Sequence, residues 1–154
     1  MKGIITIIFV YSAGLLLAAD AEISAFPEAE GFGNRSQGGR GGNVLFVTNL
    51  NDSGKGSFRA AIESKGPRTI LFRVSGLIEL KSTLKFREPF VTVAGQSAPS
   101  DGICLKNFGL LIQTHDVIVR HLRIRPGDEP AKEFAKQGKD FTPDTISIVA
   151  PSHP

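Results

Sequence analysis

Arg123 and Arg125 alternate with the apolar residues Leu122 and Ile124 at the end of the run Val117–Arg125. In an extended strand residues i and i+2 share a face, so the two guanidinium groups project from one side about 7 Å apart. Each can meet a carboxylate through two hydrogen bonds. Such a pair suits a ligand that repeats its carboxylates. The competing reading is a solvated charged face, or pairing with Asp128 and Glu129 just downstream.

Other reactive residue types point to less. Cys104 sits in Gly102–Lys106, where the alternation predicts a buried strand position and a small core hydrophobe. A catalytic thiol needs exposure and a nearby base, and nothing local supplies them. His115, His121 and His153 show no metal-ligand spacing; His121 is expected at a corner and His115 at the turn into Val117. Gly31, Gly33, Gly38, Gly39, Gly41 and Gly42 crowd one early stretch, yet no Gly-Lys-Ser/Thr follows and no strand–helix context surrounds them. Tight turns at the start of a domain are therefore expected, and a phosphate loop is not.

The elements that must position these residues are mainly short strands. Residues 44–50 alternate as a strand, and Asn51-Asp52-Ser53-Gly54 turns the chain. Ser57 is placed to cap a short helix through Glu63, with Phe58, Ala61 and Ile62 as its apolar face and Gly66-Pro67 ending it. This is the one helix the pattern predicts. From Arg68 onward β-rich runs recur at Thr69–Ser75, Phe90–Ala94, Val117–Arg125 and Thr145–Ala150, their starts roughly 20–28 residues apart. Minor runs lie between them at Leu77–Leu80, Thr83–Phe86, Ile103–Lys106 and Leu110–Thr114. Two or three strands per repeat with no helix between them predict the coils of a β-solenoid.

A β-sandwich is the alternative, with Asp101-Gly102 as a candidate hairpin turn. The phase of the alternation argues against it. Val117 and Val119 share one parity, and Leu122 and Ile124 the other. A continuous strand cannot switch parity without turning its apolar side outward. A corner near Arg120-His121 keeps both pairs inward, and the same device fits Ile78 and Leu80 followed by Leu84 and Phe86.

Composition narrows the setting. The 154 residues carry a formal charge of +3, which suits an acidic polymer. No Lys/Arg run interleaved with aromatics points to nucleic acid. Lys2, an apolar stretch from Ile4 to Leu17 and Ala19-Asp20-Ala21 follow the layout of a secretory signal peptide over residues 1–21. The apolar stretch falls short of the ~20 residues that span a bilayer. A secreted (extracellular or periplasmic) protein is expected, free of the membrane after cleavage and monomeric. Its single cysteine leaves it no internal disulfide.

Several strings carry a family resemblance. They are Ala25-Phe26-Pro27-Glu28-Ala29-Glu30-Gly31-Phe32-Gly33, Gly38-Gly39-Arg40-Gly41-Gly42, and Val47-Thr48-Asn49-Leu50-Asn51-Asp52-Ser53-Gly54. Gly56-Ser57-Phe58-Arg59, Phe72-Arg73-Val74-Ser75-Gly76, Val93-Ala94-Gly95-Gln96-Ser97-Ala98-Pro99, Asp101-Gly102-Ile103 and Val117-Ile118-Val119-Arg120-His121-Leu122-Arg123 continue them in order. Together they resemble the opening of family 1 polysaccharide lyases, the pectate lyases, from Ala25 to Val149. The resemblance implies an all-β fold, a right-handed parallel β-helix with a short N-terminal capping helix, formed by residues 22–154. It also implies cleavage of polygalacturonate by β-elimination, assisted by Ca2+.

By the same resemblance Asp144, opening Asp144-Thr145-Ile146-Ser147-Ile148, corresponds to a calcium-ligating Asp, with Ile146 and Ile148 as an inward pair. Some members carry a second acid two positions earlier, where this chain has Thr142; Asp128, Glu129 and Asp140 lie nearby. Arg123 and Arg125 become contacts for uronate carboxylates. The family's base is an arginine, and none of Arg120, Arg123 or Arg125 stands at its position. That arginine and the other calcium carboxylates are expected beyond residue 154. A C-terminally truncated β-helix with little or no activity of its own is the resulting expectation. A pectin-cleaving glycosidase, which needs two flanking acids, and a non-catalytic polysaccharide-binding or adhesion β-helix are the alternatives.

Overall fold

The computed structural model describes residues 23–141 and 144–149. The leader-like residues 1–21, Thr142 and His153 lie outside them. Among the described residues the strands are β1 (Asn43–Val47), β2 (Arg68–Phe72), β3 (Gly76–Glu79), β4 (Leu84–Phe86), β5 (Val91–Ala94), β6 (Ile103–Lys106), β7 (Leu110–Ile112), β8 (Val117–Arg120), β9 (Leu122–Arg125) and β10 (Ile146–Ile148). Helices α1 (Phe58–Ile62) and α2 (Glu129–Lys136) join them.

Strands adjacent in sequence are not paired with each other, apart from β1 and β2. The chain visits three sheets in rotation, ordered β1-β2-β5-β8, β3-β6-β9 and β4-β7-β10. All described pairings are parallel. Arg68 pairs with Val91 and Val91 with Val117, so successive coils take 23 and 26 residues. This agrees with the expected parallel β-helix and excludes the two-sheet sandwich for these residues. Asp101-Gly102 leads into β6, which lies parallel on β3.

The corners fall where the alternation changes phase. His121 alone separates β8 from β9 and takes a φ of 55°, a left-handed conformation that turns the chain into the next sheet. Ile78, Leu80, Leu84 and Phe86 all reach the interior although they straddle the corner between β3 and β4. They join Ile70, Val93, Leu105 and Leu110 in one continuous core. Each fully buried side chain of this size contributes about 1.5–3 kcal/mol.

Two expectations need correction. Cys104 is not in the core: Ile103 and Leu105 on either side of it are buried, and its own side chain faces outward, half-buried. Parity within the strand decides this, and Cys104 has the parity of Lys106. A second helix, α2, exists. Pro130 in its first turn, Glu129 at its start, Lys136 at its end and the i, i+4 spacing of Pro130 with Phe134 and Ala131 with Ala135 are helix signals, over a stretch of only eight residues.

The Gly-rich segment crosses the outer face of the first sheet. Gly39 N–H donates to Thr92 Oγ1 at 2.9 Å and Gln37 N–H to Asp116 Oδ1 at 2.7 Å. A Cβ on Gly39 would lie 1.9 Å from the Arg68 carbonyl oxygen, so only glycine allows this approach. The contacts of Asp116 with His115 and the Gln37 amide hold its carboxyl below the ordinary carboxylate range, against an opposing effect of burial. A depressed folded-state pKa means that the stability Asp116 contributes is complete above its unfolded pKa. That stability is lost as the pH falls through the folded value.

Helix α1 occupies the place in the first coil that strands fill in later coils. Ser57 Oγ accepts from Ala60 N–H at 3.2 Å, and Phe58, Ala61 and Ile62 enter the core, with the Phe58 ring 5.1 Å from that of Phe72. Its last turn is closed by Arg68, which is 1% exposed and points inward from β2. The guanidinium donates to the carbonyls of Ala61 at 3.1 Å, Gly66 at 2.8 Å and Ile62. Burial lowers the Arg68 pKa, and the Glu88 carboxylate opposes that shift. Arg68→Met retains most of the packing and leaves those carbonyls without donors. We expect it to lower the unfolding free energy by about 2–4 kcal/mol in urea denaturation; an unchanged midpoint contradicts this role.

Candidate functional site

Asp144 stands two residues before β10, with Thr145 between them. Its side chain is exposed, and Oδ2 accepts a hydrogen bond from Ser147 Oγ at 2.9 Å. The backbone below fixes the turn. Leu110 N–H donates to the Thr145 carbonyl at 3.0 Å. A Cβ on Gly109 would sit 2.0 Å from the Asp144 carbonyl oxygen. Asp144 and Ser147 line a small pocket together with Thr83, Leu111 and Phe141.

Ile146 and Ile148 stack in register on Leu110 and Ile112, as an inward pair should. They are nevertheless 47% and 77% exposed, because no described strand covers β10 on its far side.

The two arginines lie elsewhere. Both project from β9 and are exposed, with Ile124 buried between them. Arg123 Nη2 donates to the Asp101 carbonyl. Arg125 Nη1 reaches the Ile124 carbonyl at 3.3 Å. Neither takes the expected acidic partners: Asp128 pairs with Lys132 at 2.5 Å and Glu129 with Lys106 at 3.6 Å. The alternative of an ion pair with Asp128 or Glu129 therefore fails, because α2 directs those acids to lysines. Arg125 neighbours Lys106 in register, and Glu79 follows in the same row, 3.7 Å from the Lys106 ammonium. Asp144 belongs to the third sheet, so the arginines and the aspartate face different sides of the coil.

Calcium takes six to eight oxygen ligands. Among the described residues no group of three or more His, Cys, Asp or Glu is placed to hold a metal ion. Asp144 offers one carboxylate, Asp140 is exposed, and Asp128 and Glu129 are engaged by lysines. These residues do not make a complete calcium site. His115 lies against Asp116 at 2.9 Å and forms no metal cluster. Arg120 is stacked over the Phe26 ring at 4.3 Å.

The chain is 40% identical over 139 residues to a protein of Emericella nidulans named probable pectate lyase C, covering 90% of this chain and 30% of that protein. It is 45% identical over 113 residues to a probable pectate lyase C of Aspergillus flavus, covering 73% of this chain and 26% of its length. A probable pectate lyase C of Aspergillus terreus is 47% identical over 117 residues, 75% of this chain and 26% of its own. No protein-family model matches the chain. Over most of its own length the chain is similar to these proteins named probable pectate lyase C, and it spans less than a third of their length.

The approach of Gly109 to Asp144 carries a prediction. Gly109→Ala places a methyl group into the Asp144 carbonyl and must displace the turn, at a penalty of about 1–3 kcal/mol. The Leu110 amide, bonded to Thr145, is expected to lose hydrogen-exchange protection while Val91 in the first sheet keeps it. Unaltered protection at Leu110 contradicts the account.

Proposed function

We propose that the protein is a secreted, calcium-dependent polysaccharide lyase that cleaves polygalacturonate by β-elimination, with this chain forming the first coils of its β-helix. The observation that carries this reading is the 40–47% identity to proteins named probable pectate lyase C over most of the chain. In this reading residues 1–21 are a signal peptide, residues 22–154 belong to the β-helix domain, and the mature protein is a monomer that needs neither membrane nor nucleic acid. The helix is right-handed, as crossover connections between parallel strands nearly always are. Helix α1 caps its N-terminal end, where the core would otherwise meet water.

The chain's own residues bind and orient the substrate. Arg123 and Arg125 pair with carboxylates of an acidic sugar chain, and the exposed fork of each guanidinium favours that over a neutral polymer. Asp144 would supply one oxygen ligand to calcium; the described residues do not complete the set. None of Arg120, Arg123 and Arg125 is assigned as the base.

The test has two parts. The chain is expected to be retarded in a native gel containing polygalacturonate and not in one containing a neutral galactan. The Arg123→Gln/Arg125→Gln double variant should bind about three- to tenfold more weakly. The protein extended over the length of its relatives is expected to raise the ultraviolet absorbance of polygalacturonate, and a chelator to stop it. New reducing ends without absorbance would indicate a hydrolase instead, and equal retardation by the neutral polymer would overturn the assigned role of the arginines.

A further inference from the structure

The corner between the second and third sheets spans residues 80–83 in the first full coil and 107–109 in the next, but 126–145 in the third. A three- or four-residue turn has become a twenty-residue excursion. Connections of that length within a compact stack are uncommon and tend to be functional loops or linkers. This one is braced. Pro130 of α2 is buried, and Glu129 reaches Lys106 on β6. The Phe134 and Phe141 rings lie 4.8 Å apart at 30°, and Phe141 lies 5.4 Å from Phe108, which packs on the core.

The result is an aromatic side chain set into the wall of the pocket at Asp144. Phe141 lines it on one side, and Thr83, Ser147 and Asp144 supply hydroxyls and a carboxylate around it. An aromatic wall facing polar groups fits a pyranose ring, which has an apolar C–H face and a polar rim. The galacto configuration gathers C3–H, C4–H and C5–H on one face. Lys85 belongs to the same outward row, since it pairs in register with Leu111 and Leu111 with Ser147. Two coils place that cation within about 10 Å, in reach of a neighbouring uronate.

We propose that Phe141 is a specificity-determining residue that stacks on the C–H face of one galacturonate ring, with α2 serving as its brace. The inference rests on the polygalacturonate reading above for the identity of the sugar.

Saturation-transfer NMR with trigalacturonate tests it on the unmodified chain. Irradiating the aromatic protons is expected to transfer most strongly to H3, H4 and H5 of one ring; uniform or absent transfer to a bound sugar overturns the proposal. Phe141→Leu keeps an apolar contact with Phe134 and Phe108 but removes the ring face. It should weaken trigalacturonate binding about three- to tenfold with unchanged circular dichroism, and Phe141→Tyr should restore it. Parental affinity in Phe141→Leu overturns the role of Phe141 and leaves the substrate assignment standing. Failure of the parent chain to bind trigalacturonate overturns both.

Discussion

A strand in this protein has no hairpin partner to satisfy its backbone, so its hydrogen bonds go to the coil above and the coil below. Arg68 N–H bonds the Phe90 carbonyl, and Val91 N–H bonds the Asp116 carbonyl one coil on. This constraint governs the rest of the structure. In a parallel in-register ladder an inward residue must stack on an inward residue, and an outward one on an outward one. Ile78, Leu105 and Ile124 form one such inward column; Leu77, Cys104 and Arg123 form an outward one. The column rule decides which side chains meet water and places Arg123 and Arg125 on a face beside Lys106.

The same rule leaves the first coil with a problem that the chain solves with unlike parts. Helix α1 brings Phe58, Ala61 and Ile62 into the core, but its C-terminal carbonyls then point at apolar surroundings. Arg68 satisfies them from the adjoining strand, a charged residue whose column continues into Val91 and Val117 in the later coils. Outside the sheet, the glycine-rich segment lies close enough that its amides reach Thr92 and Asp116. Helix, buried cation and strap therefore act on the same early coils.

The strands and corners were legible because a parity switch is a direct consequence of the column rule. Val117, Val119, Leu122 and Ile124 can all face one interior only if His121 turns the chain, and it does so with a positive φ. Cys104 was misread because Gly102–Lys106 is short enough for either parity to look plausible without its partners Leu77 and Arg123. Helix α2 escaped notice because its apolar period, Pro130 with Phe134 and Ala131 with Ala135, covers only eight residues, and its bracing contacts, Phe134 with Phe141 and Glu129 with Lys106, are tertiary. The pocket at Asp144 escaped for the same reason: Thr83, Phe141 and Ser147 come from separate segments, and only stacking brings them together.

Nuclear Overhauser contacts between methyl and Cα protons test the stacking most directly. The account predicts methyl contacts along Ile70–Val93–Val119, Ile78–Leu105–Ile124 and Leu84–Leu110–Ile146, each linking residues a coil apart. Strong Cα-proton to Cα-proton contacts between sequence-neighbouring strands such as β5 and β6, the signature of an antiparallel sheet, would contradict it.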